Sequence, residues 1–140
     1  MAKVQAIETR RKESESEKIT INLGFVDLGH VDLLVQEGFY SNRTDFIRTA
    51  IRNQLGTHGE VLKQSAARRS MVLGLQRYTR QDLESVRAAG QQLHIHVLGL
   101  ATIDDDVRPQ LALQAIASIV VLGALRASPE VKAALADRIH

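Results

Sequence analysis

Three polar side chains alternate near the start of this 140-residue chain: Lys18, Thr20 and Asn22, separated by Ile19, Ile21 and Leu23. A period of two places the polar three on one face of a strand and the apolar three on the other. Lys, Thr and Asn are side-chain types that read base edges in the major groove of DNA. Asn suits adenine, Lys suits guanine, and Thr donates, accepts or touches a methyl group. The same types would suit the solvated face of an ordinary sheet, but no second strand lies nearby to complete one. A second candidate group follows at Ser41, Asn42, Arg43 and Thr44. A helix starting there would offer free amides and a positive dipole end to a phosphate. Arg48 and Arg52, four residues apart on that helix, read either as part of the same surface or as solubilising charges.

These groups need elements to position them. Residues 18–24 read as a single strand, too small to make a sheet with itself. Leu28, Val31, Leu34 and Val35 then recur at helical spacing, and Gly38 supplies a left-handed helix end. Asn42 followed by Asp45 has the form of a capping box, with Phe46, Ile47, Ala50, Ile51 and Leu55 continuing the helix. One arrangement satisfies all three elements. Two chains pair their strands antiparallel, and four helices close over the apolar face. The outer face of the resulting ribbon, which fits the major groove, presents Lys18, Thr20 and Asn22 from each chain.

Composition bounds the rest. The chain is 44% apolar but only 4% aromatic, so any core is aliphatic. It has no cysteine, which excludes disulfides, thiol catalysis and cysteine-ligated metal. No apolar run reaches the ~18 residues of a membrane span, and Met1 to Lys18 has no apolar core of the signal-peptide kind. A cytoplasmic protein is expected, with no membrane partner. Net charge is +2, but unevenly spread. Residues 40–80 hold eight Lys/Arg against two Asp/Glu, whereas residues 1–39 and 81–140 each hold five against seven. A basic middle between acidic flanks could attract phosphate, or could be a solvated helical face. Residues 1–16 are polar and mixed in charge and read as a disordered arm.

The second half contains a repeat. Val72-Leu73-Gly74, Val97-Leu98-Gly99 and Val121-Leu122-Gly123 recur at spacings of 25 and 24. Ten residues after each Val lie Asp82, Val107 and Val131, and fourteen after lie Val86, Leu111 and Leu135. Each unit runs strand, polar turn, helix, with Pro109 and Pro129 near helix starts. Stacked units of this kind make a small parallel sheet covered by helices. The three Val residues should then lie side by side. Gly56 and Gly59 bracket a break before this half, followed by a short helix of roughly Glu60 to Arg69.

Lys18-Ile-Thr-Ile-Asn-Leu23, a helix, Gly38-Phe-Tyr-Ser-Asn-Arg-Thr-Asp-Phe-Ile-Arg48 and Ala50-Ile-Arg52 together resemble the ribbon-helix-helix regulators of the Arc/MetJ/CopG type. The resemblance covers residues 17–56. It implies a homodimer on double-stranded DNA, with Lys18, Thr20 and Asn22 reading bases and the backbone at Asn42 and Arg43 clamping phosphate. Gly24 departs from the pattern, since a proline is common there.

The expected fold class is α+β. An intertwined ribbon-helix-helix dimer precedes a C-terminal α/β domain of three strand–turn–helix repeats. The domain reading is an arm at 1–16, the DNA-binding and dimerisation domain at 17–56, a linker helix at 57–69 and the repeat domain at 70–140. The function expected is a sequence-specific transcriptional regulator, acting as a repressor on the nucleoid. The alternatives are the antitoxin of a toxin–antitoxin pair and a DNA-anchored scaffold or filament assembling through the C-terminal repeats.

His94 and His96 lie two apart in an expected strand and could share a metal. Nickel-responsive regulators of the same family use such a pair with an upstream histidine and a cysteine. Here Gln81 stands thirteen residues before His94 and cysteine is absent, so an ordinary strand face is favoured and no cofactor is expected. Asp104-Asp105-Asp106 reads as an acidic helix N-terminus rather than a cation site. No nucleophile motif or glycine-rich phosphate loop is present, and the protein is not expected to be an enzyme.

Overall fold

The apolar spacing at Leu28, Val31, Leu34 and Val35 produces a helix, α1 (Phe25–Gln36), in the computed structural model, which describes residues 15–140. All four side chains are buried or half-buried. The expected arm at 1–16 falls, but for its last two residues, outside the described residues. Gly24 is the N-cap of α1, in extended conformation and with no side chain to offer the free amides. At the other end Gly38 adopts φ +85°. Its N–H donates to Val35 O at 3.1 Å and the N–H of Phe39 donates to Leu34 O at 3.0 Å. These two bonds form a Schellman motif, which satisfies the last carbonyls of the helix.

The next helix, α2 (Arg43–Thr57), is capped by Asn42, whose side-chain oxygen accepts from the Asp45 amide at 2.8 Å. The return arm of the box lands one residue early. The Asp45 carboxylate accepts from the Ser41 N–H at 3.0 Å rather than from Asn42. Gly56 lies inside the last turn of α2, and the break expected between Gly56 and Gly59 falls at His58. A lone glycine near a helix end costs only ~1 kcal/mol, which the rest of the helix outweighs. The interruption is His58 alone, and α3 (Gly59–Arg68) begins at the next residue.

Contacts divide the chain into two units between Gly59 and Glu60. In the first, α1 packs on α2, and Tyr40 meets Phe46 edge to face with ring centroids 5.0 Å apart. Val31 is its one buried side chain among the described residues. Residues 17–24 have no regular secondary structure and no ladder partner among the described residues.

The second unit continues from α3 through β1 (Val72–Tyr78), α4 (Arg80–Ala88), β2 (Leu93–Ile103), α5 (Pro109–Ala115), β3 (Ile116–Arg126) and α6 (Pro129–Ala134). The strands form a parallel sheet in the order β1-β2-β3. Val72 pairs with Val97 and Val97 with Val121, so the three Val-Leu-Gly segments lie side by side. Helix residues Leu83, Leu111, Ala112, Ala115 and Val131 join Ile95, Val97, Ala101, Ile103 and Ile119 in one aliphatic core. Val86 is half-buried against it, whereas Leu135, fully buried, is the C-cap of α6 rather than part of the helix.

The glycine in each segment has a steric reason. Gly74, Gly99 and Gly123 all have positive φ, and a Cβ at Gly99 would overlap the carbonyl oxygen of Gly74. A Cβ at Gly123 would likewise overlap the carbonyl oxygen of Gly99. The strands approach too closely on this row for any side chain.

Helix starts are capped as their residues dictate. Thr79 and Asp82 form a reciprocal capping box on α4, Ser128 caps α6, and Pro109 and Pro129 occupy first turns. The Asp104–Asp106 run is not a helix N-terminus. The N-cap of α5 is Arg108, and no acid lies in its first turn. Asp104 instead accepts a bidentate pair from Arg77, at 2.8 Å to both Nε and Nη2. Asp106 lies 3.8 Å from the Arg80 Nε.

Candidate nucleic-acid interface

Lys18, Thr20 and Asn22 are exposed. The apolar residues between them are exposed as well: Ile19 by 72% and Ile21 by 55%. The single chain therefore presents both faces of the segment to solvent.

At the start of α2, the backbone amides of residues 41–45 have no partner within the helix. The Ser41 amide is taken by the Asp45 carboxylate and the Asp45 amide by Asn42. The amides of Asn42, Arg43 and Thr44 have no partner among the described residues. They sit at the positive end of a 15-residue helix, where an anion is favoured.

The Arg43 side chain has a different role from its backbone. Its Nε and Nη2 donate to the two Asp32 oxygens at 2.7 and 2.8 Å. This fork ties the middle of α1 to the first turn of α2. Hydrogen bonding from Arg43 holds the Asp32 carboxyl below the ordinary carboxylate range, and Asp32 raises the Arg43 guanidinium in turn. Arg43 thus positions the helix start. Asp32 was absent from the sequence-based site. Its signal is an acid set beside the apolar stripe of α1, next to Val31 and one turn from Leu28 and Val35.

The basic middle segment is distributed over both units and is partly neutralised. Arg43, Arg77 and Arg80 face Asp32, Asp104 and the Glu84/Asp106 pair. Arg48 and Arg52 on α2 are exposed and have no carboxylate partner among the described residues.

His94 and His96 lie on the β2 face opposite the core, where each ring is engaged through Nδ1. His94 meets Ser118 Oγ at 2.9 Å and His96 meets the Arg69 carbonyl at 3.3 Å. Among the described residues no three His, Cys, Asp or Glu side chains gather as a metal site would require.

The family model of the ribbon-helix-helix transcriptional regulators matches residues 14–132. The chain belongs to this family. The match extends well beyond the 17–56 segment that carries the sequence resemblance and takes in the three-stranded sheet. No curated protein and no solved structure matches the chain. No helix among the described residues is long and apolar enough to cross a membrane.

Proposed function

We propose that this protein is a homodimeric, sequence-specific DNA-binding regulator that reads the major groove with a two-stranded ribbon and acts as a repressor. The observation that carries the reading is the open core of the first unit. Ile19, Ile21, Leu23, Phe25, Val26, Leu33, Phe39, Ile51 and Leu55 are all exposed in the single chain. An apolar surface of this extent marks an interaction site. A second copy supplies what is missing: a strand for residues 18–23 and two more helices over the apolar face. The polar alternates Lys18, Thr20 and Asn22 then point outward from both strands.

The amides of Asn42, Arg43 and Thr44 bind a phosphate on each side of the ribbon, and Ser41 assists through its hydroxyl, its amide being occupied. These contacts set the register of the protein on the duplex, and the ribbon reads sequence. A dimer seated on promoter DNA excludes polymerase by occupancy, hence repression, with action in the cytoplasm on the nucleoid. The second unit serves assembly or control.

The test is genome-wide mapping of bound DNA, followed by binding of the purified protein to the sites found. Thr20→Ala or Asn22→Ala should weaken specific binding by ~1–3 kcal/mol per lost base contact and relax sequence preference, with little change in stability. Specific binding that survives replacement of Lys18, Thr20 and Asn22 together contradicts the ribbon as the reading head.

A further inference from the structure

The sheet of the second unit has two open edges, and their shapes match. Among the described residues β1 has a neighbour only in β2. Gly74 keeps the positive φ of its row, +107°, yet the place where its Cβ would sit has nothing within 4 Å. At Gly99 and Gly123 the same place is filled by the carbonyl of the preceding strand. β1 therefore has the backbone form of a strand with a neighbour on its outer side, and the described residues supply none.

The other edge is half covered. Ile139 bridges to Ile119, with the Ile119 N–H donating to Arg138 O at 2.8 Å and the His140 N–H donating to Ile119 O at 2.9 Å. Among the described residues no strand pairs with this side of β3 from Val121 to Leu125. Within the chain, β1 covers β2 from Val97 onward, and Val97 is the register mate of Val121. A strand shaped like β1 would thus cover the stretch of β3 that residues 138–140 leave open.

We propose that the β3 edge of one copy receives the β1 edge of a second copy, parallel and in the register of the sheet. Gly123 then faces the partner's Gly74, whose missing Cβ admits the Gly123 carbonyl, as Gly99 admits that of Gly74 within one chain. Val72, 49% exposed beside the buried Val97, gains cover. Each edge carries a single charged residue, Arg77 on β1 and Arg126 on β3. β1 and the open part of β3 contain no proline and no lysine. The joint is head to tail, so it does not close on a pair but extends from copy to copy. It does not depend on DNA binding.

The mass of the full-length protein in solution should rise without a fixed end point as concentration increases. Gly74→Ala meets no atom within its own chain, so it should remain folded by circular dichroism and stop the growth. A second experiment stands even if the strained φ unfolds that variant. The chain has no cysteine, so Leu75→Cys and Ala124→Cys can be made as single-thiol proteins. Leu75 and Ala124 are both register mates of Leu100. Across the joint they would lie on adjacent strands ~4.8 Å apart, within disulfide reach. Mild oxidation should cross-link the mixture of the two variants and neither variant alone. A mass that stays constant with concentration, or no cross-link in the mixture, overturns the proposal. So does cross-linking of Leu75→Cys to itself, which indicates two β1 edges meeting antiparallel.

Discussion

The two units of this chain solve the problem of burial in opposite ways. Residues 60–140 close a core around Ile95, Val97, Ile103 and Ile119, each almost wholly shielded, using helices from the same chain. Residues up to 59 bury Val31 and leave Phe25 91% and Phe39 71% exposed. The difference is not one of composition, since both are rich in Ile, Leu and Val. It lies in whether the secondary structure suffices to cover itself. A three-stranded sheet with two crossover helices and a third helix after the last strand does. Two short helices and a lone strand segment do not, and their apolar face reads as half of an interface.

The largest effect should come from breaking the closed core. Leu111→Asp places an unpaired charge in a dry aliphatic interior, which costs several kcal/mol and should unfold the second unit. Amide signals from α1 and α2 should persist. If both units melt together, the two cores are not separate and the contrast drawn above is wrong. The open core offers the reverse experiment. Ile21 is more than half exposed in one chain, so Ile21→Asn should be nearly neutral for a monomer. If a second chain covers it, the change should cost ~1.5–3 kcal/mol per chain. Dimer dissociation measured by dilution separates the two outcomes.

A smaller effect is expected at Asn42, whose side chain holds the Asp45 amide. Asn42→Ala should cost ~1 kcal/mol of stability, read from thermal melts, and should leave the second unit untouched. The smallest concerns acid. The Thr79 N–H donates to the Asp82 carboxylate and, with the Thr79 hydroxyl, holds its pKa below the ordinary value. A carboxyl lowered on folding stabilises the fold above its unfolded value, ~3.9, and that contribution is lost as pH falls through the lower, folded value. The melting temperature of the second unit should therefore fall more steeply with acid in the wild type than in Asp82→Asn. Parallel curves would show that the cap does not titrate. Asp32, lowered by Arg43, should act in the same direction in the first unit.

Much of this was legible in the residues, and the part that was not has physical causes. The repeat fixed which strand residues pair, because a parallel ladder aligns residues one repeat apart. Val72, Val97 and Val121 follow that rule. The reason for glycine in each segment was hidden, since it depends on a neighbouring carbonyl and not on local sequence. The Arg77–Asp104 pair, 27 residues apart, was missed. It could have been sought at the repeat spacing plus the two-residue period of a strand face. The break that Gly56 and Gly59 bracket was legible, because glycine is a weak helix former, and it is a single residue, His58. For the DNA-reading face, the alternation of Lys18, Thr20 and Asn22 was plain, but the structure of one chain supplies no partner strand to align it.

The central claim is that residues 18–23 pair with the same residues of a second chain. Hydrogen exchange at the Ile19 to Leu23 amides, followed as the full-length protein is diluted, tests it directly. The account predicts slow exchange at every second one of these amides at high concentration, and progressive loss of that protection in step with dimer dissociation. Fast exchange of these amides at every concentration, with α1 and α2 still protected, contradicts it.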